Sequence, residues 1–285
     1  MSTQTHMPMP WHAAVSVARV RRVVLPVAFI IGLGAFWEWA VKFFHVSSAV
    51  LAAPSAIVKV YAGHAALLST HIAPTASEAL MGFGMACVAG IGLGTLISFS
   101  PRLRQAFYPH IVAFQLIPKI AVAPLFTLWF GIGSEGRLLF ITFMAFFPMV
   151  ISTMTGLLST PEPMLKLCKA LRATQWQTFV HVRFPYAVPH IFAGMKIGAT
   201  MAILGTVVAE FITAQKGLGF LIMFGSSAGE SAVVLAAVGL LCMIGVALFG
   251  TVAAAEHYLR RRLGASSDRG SNSGSNQSTE RNLAV

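Results

Sequence analysis

Lys119 and Glu210 are ionisable residues within otherwise apolar segments. A charge at membrane depth costs about 2.5 to 3.5 kcal/mol even on lenient insertion scales, so such a residue either snorkels or pairs with a neighbour, or faces a watery pathway. On the pathway reading, Lys119 attracts an anionic solute, and Glu210 closes or orients the far end. Pro118 and Pro124 flank Lys119. They kink the helix and free backbone groups, which membrane depth tolerates only beside protein or a water-filled cavity.

Bond-making chemistry has no comparable constellation. The chain has no G-x-x-x-x-G-K-[ST] to cradle nucleotide phosphates and no H-E-x-x-H to hold zinc. Nine histidines are scattered; His6, His12, His64, His71, His110, His181 and His190 lie mostly near the ends of apolar segments, which reads as interfacial placement rather than ligation. Cys87, Cys168 and Cys242 are far apart and read as small packing residues, not as a disulfide framework or a metal site. The expectation is a chain that is not an enzyme and binds no metal or cofactor.

A second patterned stretch is 161–191, PEPMLKLCKALRATQWQTFVHVRFPYAVPHI, a basic island between two apolar segments. Glu162 and Pro163 suit a first helical turn, and Met164, Leu165, Cys168 and Leu171 recur at helical spacing, ending near Arg172 and Ala173. Thr174 and Gln177 have the spacing of a capping box. A second short helix then carries Trp176, Phe179 and Val180, and Pro185 limits it. Leu165, Leu171, Trp176 and Phe179 form an apolar face that needs a cover, either a partner or the ends of the chain's own spans.

The elements that position these residues follow from composition. With 56% hydrophobic and 10% charged residues and a mean hydropathy of +0.75, 285 residues cannot hide their apolar surface in one soluble core. The chain reads as an all-α, polytopic membrane protein, and the net charge of +11 forms no nucleic-acid-binding stripe. Arg19, Arg21 and Arg22 precede an apolar run as in a signal peptide, but the run is long enough to be a retained first span. Six spans are expected at about 23–44, 76–99, 107–130, 138–158, 191–212 and 231–258. Ser55 is placed as the N-cap of a surface helix over 56–68, and 213–230 reads as an external or re-entrant segment. Residues 1–20 are expected to form a poorly ordered cytoplasmic segment, 21–262 the membrane domain with a cytoplasmic loop at 161–190, and 263–285 a disordered tail. Gly90 and Gly94 make a G-x-x-x-G pair, read as packing within the chain in preference to a seam between copies, and Gly194 and Gly198 make a second such pair.

Orientation follows from the basic residues. With the N-terminus inside, the cytoplasmic side holds Arg19, Arg21, Arg22, Arg102, Arg104, Lys166, Lys169, Arg172, Arg183 and the arginines at 260–262. The outer side holds Lys42, Lys59, Arg137 and Lys216. Both termini and the loop at 161–191 are therefore placed in the cytoplasm.

The order of these features resembles the membrane permease subunits of bacterial ABC importers, and within them the nitrate/sulfonate/taurine branch. The likeness is carried by LRATQWQTFVHVRFPYAVPHIFAGMKIG, IPKIAVAPLFTLWFGIG (117–133), FFPMV (146–150), VVAEF (207–211) and GLGF (217–220), and covers about 24–262. The family's loop pattern is E-A-A-x-x-x-G, nine residues, then I-x-L-P. Here 182–185 matches its end, while Lys166 stands at its Glu, Leu167 and Cys168 at its two Ala, and Arg172 at its Gly. The resemblance implies a type I (MetI-like) permease fold in the bacterial inner membrane. It also implies a pair of permease copies lining one pathway, ATPase subunits that hydrolyse ATP with Mg²⁺ on separate chains, and a periplasmic or secreted substrate-binding protein. It makes 161–190 the ATPase-coupling loop. The expected cargo is a small polar or anionic solute of the nitrate, sulfonate or taurine type. Vitamins or thiamine-precursor pyrimidines are the alternative within the same machinery, and an ATPase-independent secondary transporter is the alternative outside it, although no internal repeat supports that.

Overall fold

The computed structural model describes the backbone of residues 11–281 and the side chains of residues 24–261; the expectations for the segments 1–20 and 263–285 lie outside those side chains. Among the described residues every regular element is helical: α1 (Trp11–Phe43), α2 (Pro54–Gly63), α3 (Ala65–Phe99), α4 (Pro101–Leu116), α5 (Lys119–Phe130), α6 (Ser134–Leu158), α7 (Glu162–Ala170), α8 (Gln175–Thr178), a π-helical turn (Phe179–Arg183), α9 (Phe184–Thr213), α10 (Leu218–Ala228) and α11 (Ser231–Arg281). Five helices are long and apolar enough to cross a membrane, or six if α4 and α5 form one broken span.

Several boundaries differ from expectation. The second span begins at Ala65 and runs through Pro74. The third is broken outright: α4 and α5 meet at 98° across Ile117 and Pro118, whereas Pro124 is accommodated inside α5. The fifth is longer than expected, because α8, the π-turn and α9 form one continuous helix from Gln175 to Thr213. Pro185 therefore does not limit the second loop helix. The Phe184 amide donates to the Phe179 carbonyl five residues back, and this widened turn lets the proline ring enter the first turn of α9.

The chain forms two compact units, one of Met1–Ala65 with Gly225–Ala236 and one of Ala66–Phe224 with Ala237–Val285. In the first, Pro54 occupies the opening turn of α2 and Ser55 is not its N-cap. Instead the Ser55 amide (3.0 Å) and hydroxyl (2.8 Å) both donate to the Glu38 carboxylate on α1, which also pairs with Lys42. A carboxylate from a neighbouring helix thus satisfies one of α2's free N-terminal amides.

In the second unit α6 is the most buried of the five long apolar helices, and glycines explain how α3 and α9 approach it. A Cβ on Gly94 of α3 would lie 2.8 Å from the Val150 carbonyl and 2.9 Å from Thr153 Cβ, and one on Gly90 would overlap Met149. From α9, a Cβ on Gly194 would meet Ser152 Cβ at 2.5 Å, and one on Gly198 would lie 3.3 Å from Met149 Sδ. Both G-x-x-x-G pairs therefore pack within the chain. Where hydrocarbon surrounds the helices, such close contact supplies dispersion energy that the hydrophobic effect does not. The large apolar side chains left exposed on this unit, among them Leu80, Val88, Val246 and Phe249, belong to that hydrocarbon-facing surface.

Candidate functional site

Glu210, near the end of α9, has a relative exposure of 2%. Its Oε1 accepts from the Thr75 hydroxyl on α3 at 2.7 Å, and its Oε2 accepts from the Gly219 amide at 2.6 Å. Thr75 Oγ in turn accepts from the Leu218 amide at 2.8 Å, and one turn earlier on α3 the His71 ring accepts from the Gly217 amide at 3.0 Å. Three successive amides of the segment after α9 are thus held by two helices. The segment's sequence permits this: Gly217 has φ +128°, and a Cβ there would overlap the Glu210 carboxylate. At Gly219 a Cβ would come within 2.8 Å of Glu210 Cβ and Oε2. One turn further along α3, Glu78 forms a two-pronged pair with Arg137 of α6, Nε to Oε2 at 2.9 Å and Nη2 to Oε1 at 2.6 Å. Both groups are mostly buried, so the fork geometry satisfies charges that would otherwise be costly.

Lys119 is not brought to Glu210. It opens α5 at the 98° break, half-buried, with Nζ 5.6 Å from the centre of the Phe147 ring on α6. Among the described residues it forms no ion pair. Pro118 and Pro124 are exposed. The two expected charges therefore differ in kind: Glu210 is fully engaged by hydrogen-bond donors, while Lys119 has an aromatic face and no acid.

In the loop, α7 ends in a Schellman motif, with the Ala173 amide on the Cys168 carbonyl (2.9 Å) and the Arg172 amide on the Lys169 carbonyl (3.0 Å). Arg172 occupies the left-handed position at φ +53°, where glycine is free of Cβ strain. Lys166 pairs with Glu162 one turn earlier at 3.4 Å, an exposed pair. The capping box forms as expected: Thr174 Oγ accepts from the Gln177 amide at 3.2 Å, and Gln177 Oε1 accepts from the Thr174 amide at 2.8 Å. The apolar face divides, however. Leu165, Cys168, Ala173 and Phe179 are half-buried, and the Phe179 ring lies 5.0 Å from that of Phe99 and 5.6 Å from that of Trp176. Leu171 and Trp176 remain 73% and 67% exposed. Phe179 anchors the loop on its own bundle; Leu171 and Trp176 face outward.

Sequence reasoning did not find the partners of Glu210, nor a pair joining α9 to α11. Lys196 Nζ lies 2.6 Å from Glu256 Oε2, and Arg260 takes the other oxygen at 2.7 Å. His71, read from sequence as interfacial, is buried within the Glu210 cluster.

The described residues form a helical domain with five or six apolar spans, one of them broken at Pro118, and a helical loop with an outward apolar pair. The family described as binding-protein-dependent transport system inner membrane component matches residues 86–262, and this chain belongs to it. It is similar to the riboflavin transport system permease protein RibX of Chloroflexus aurantiacus, at 31% identity over 83% of this chain and 89% of that one. It is also similar to the taurine transport system permease protein TauC of Escherichia coli, at 32% identity over 63% and 65%. Further relatives are named as formylaminopyrimidine, aliphatic sulfonate and nitrate permeases. The fold matches that of the inward-facing MetNI methionine ABC transporter with a TM-score of 0.57 at 20% identity, covering 69% of this chain and 96% of that one. The chain is an ABC importer permease of the MetI type.

Proposed function

We propose that this permease forms, with a second permease copy, the pathway for a small polar or anionic solute of the nitrate, sulfonate or taurine type. A substrate-binding protein delivers the solute outside, and separate ATPase subunits, which bind ATP and Mg²⁺, drive transport from the cytoplasm. Both termini lie in the cytoplasm, in line with the excess of Lys and Arg on that side. Lys119, at the Pro118 break and without an acidic partner among the described residues, is the pathway residue that attracts the anion. Pro118 and Pro124 belong to the same pathway, and Glu210 closes or orients its external end. Relatives named for riboflavin and formylaminopyrimidine keep the vitamin and pyrimidine alternative in the same machinery.

The observation that carries the coupling reading is the outward pair Leu171 and Trp176, the two most exposed large apolar residues of the loop, beside half-buried Leu165, Cys168 and Phe179. A fixed, exposed aromatic beside a leucine is the kind of anchor that dominates protein interfaces. Lys166, Arg172 and Thr174 border it, and Leu165, Cys168, Ala173, Phe179 and Pro185 hold its shape. Trp176→Asp and Leu171→Asp are expected to abolish co-purification with the cognate ATPase and ATP-driven uptake while leaving the permease folded. Normal association and uptake in both variants would sink the coupling reading, and uptake independent of ATP would favour a secondary transporter.

A further inference from the structure

Where α4 begins and α6 ends, the two helices leave a cavity of about 670 Å³. Arg104 and Tyr108, one turn apart on α4, and Thr155 of α6 supply its polar lining, and Pro109, Met154 and Leu158 supply an apolar wall. Arg104 is half-buried and forms no ion pair among the described residues. Its own helix offers no acid: α4 carries Arg102 and Arg104 and no Asp or Glu. The single acid of α6, Glu135, is in that helix's first turn, ~30 Å of helix away from Thr155. The cavity therefore joins an apolar wall to one uncompensated guanidinium and two hydroxyls.

We infer that this cavity binds an anionic phospholipid of the cytoplasmic leaflet, with the phosphate on Arg104, Tyr108 and Thr155 and the glycerol and upper chains along Met154 and Leu158. A guanidinium without a carboxylate takes a phosphate through paired N–H donors, and the hydroxyls donate to the same group. The wall selects an amphiphile over a soluble anion, because a free phosphate leaves the apolar surface beside it in water. A basic pocket between spanning helices on the cytoplasmic side also sits where the negative potential of the leaflet is felt. That placement rests on the orientation proposed above from the Lys and Arg residues. Ser159, on the cavity rim, caps the end of α6 just before Pro161 starts the loop, so the bound lipid lies at the root of the coupling loop.

The test is native mass spectrometry of the purified full-length chain in detergent micelles, titrated with dioleoyl phosphatidylglycerol or with phosphatidylcholine of the same chains. Phosphatidylglycerol should bind about fivefold more tightly, and Arg104→Gln should remove that preference. Arg104→Lys, which keeps the charge, should retain most of it, so that loss in the glutamine variant alone separates a ligand contact from misfolding. Arg102→Gln, outside the cavity lining, should bind within about twofold of the parent. Equal binding of the two lipids, Arg104→Gln binding like the parent, or equal losses in the Arg102 and Arg104 variants overturns the inference. Displacement of the lipid by micromolar glycerol 3-phosphate assigns the cavity to a soluble anion and overturns it too. Lipid carried by the monomer and absent from the dimer assigns the cavity to a second copy, with the same result. A micelle has no sides, so these affinities stand apart from the orientation, which labelling of Ser159→Cys by a membrane-impermeant thiol reagent, relative to the parent chain, tests separately.

Discussion

Replacing Thr75 with valine tests whether the Glu210 cluster holds the segment after α9. The swap keeps the branched shape but removes a hydroxyl that donates to Glu210 Oε1 and accepts from the Leu218 amide, at a position with 0% exposure. Losing a hydrogen bond to a carboxylate costs about 1.5 to 3 kcal/mol, and stranding a buried amide costs about 1 to 3 kcal/mol. Because one hydroxyl serves both, the two costs overlap, and about 3 kcal/mol is expected. The Gly219 and His71 bonds remain, so the loss appears as local opening of residues 214–219 rather than global unfolding. Hydrogen–deuterium exchange in nanodiscs should show the Leu218 amide exchanging about 150-fold faster, with the amides of α6 unaffected. Thr75→Ser, which keeps the hydroxyl, should exchange within a few-fold of the parent. Exchange unchanged in the valine variant, or equal acceleration in serine and valine, would refute the idea that this hydroxyl closes the segment.

Arg172→Gly removes the left-handed strain at φ +53° and should stabilise the α7 terminus by about 1 kcal/mol, seen as slower exchange of the Ala173 amide; faster exchange would mean the arginine side chain offsets its own strain. Gly94→Val should lower thermal stability by about 2 kcal/mol or more, because its Cβ would meet the Val150 carbonyl at 2.8 Å, whereas Gly92→Ala, with nothing within 4 Å, should be neutral or slightly stabilising. If the two substitutions had equal effects, the α3–α6 packing account would fail.

The features legible in the sequence are those whose partners lie close by. The Thr174 and Gln177 box needs only three residues of separation, and the break at Pro118 follows from the proline itself. The break's 98° angle and the continuation of α9 back to Gln175 depend on packing and on a widened turn, which periodicity does not encode. The unread bonds join distant residues: Ser55 to Glu38 across 17 positions, Arg137 to Glu78 across 59, Lys196 to Glu256 across 60, and Gly217 to His71 across 146. Glu78 and Lys196 also sit in apolar segments, and the cost argument applied to Lys119 and Glu210 would have flagged them. Arg137 lies in the first turn of α6, and nothing in its local sequence names the Glu78 that it holds.

The unbroken helix from Gln175 to Thr213 spans 39 residues, or about 58 Å at 1.5 Å per residue. A tilt of only ~5° about its Trp176 end carries Glu210, ~51 Å along the axis, through ~4 Å by simple leverage. The bonds around the Glu210 carboxylate are 2.6 and 2.7 Å long and have no slack of that order. Any such tilt leaves two outcomes: α3 and the 217–219 segment ride along with the rod as one body, or the carboxylate lets go, turning a small angle at one face of the membrane into a discrete event at the other.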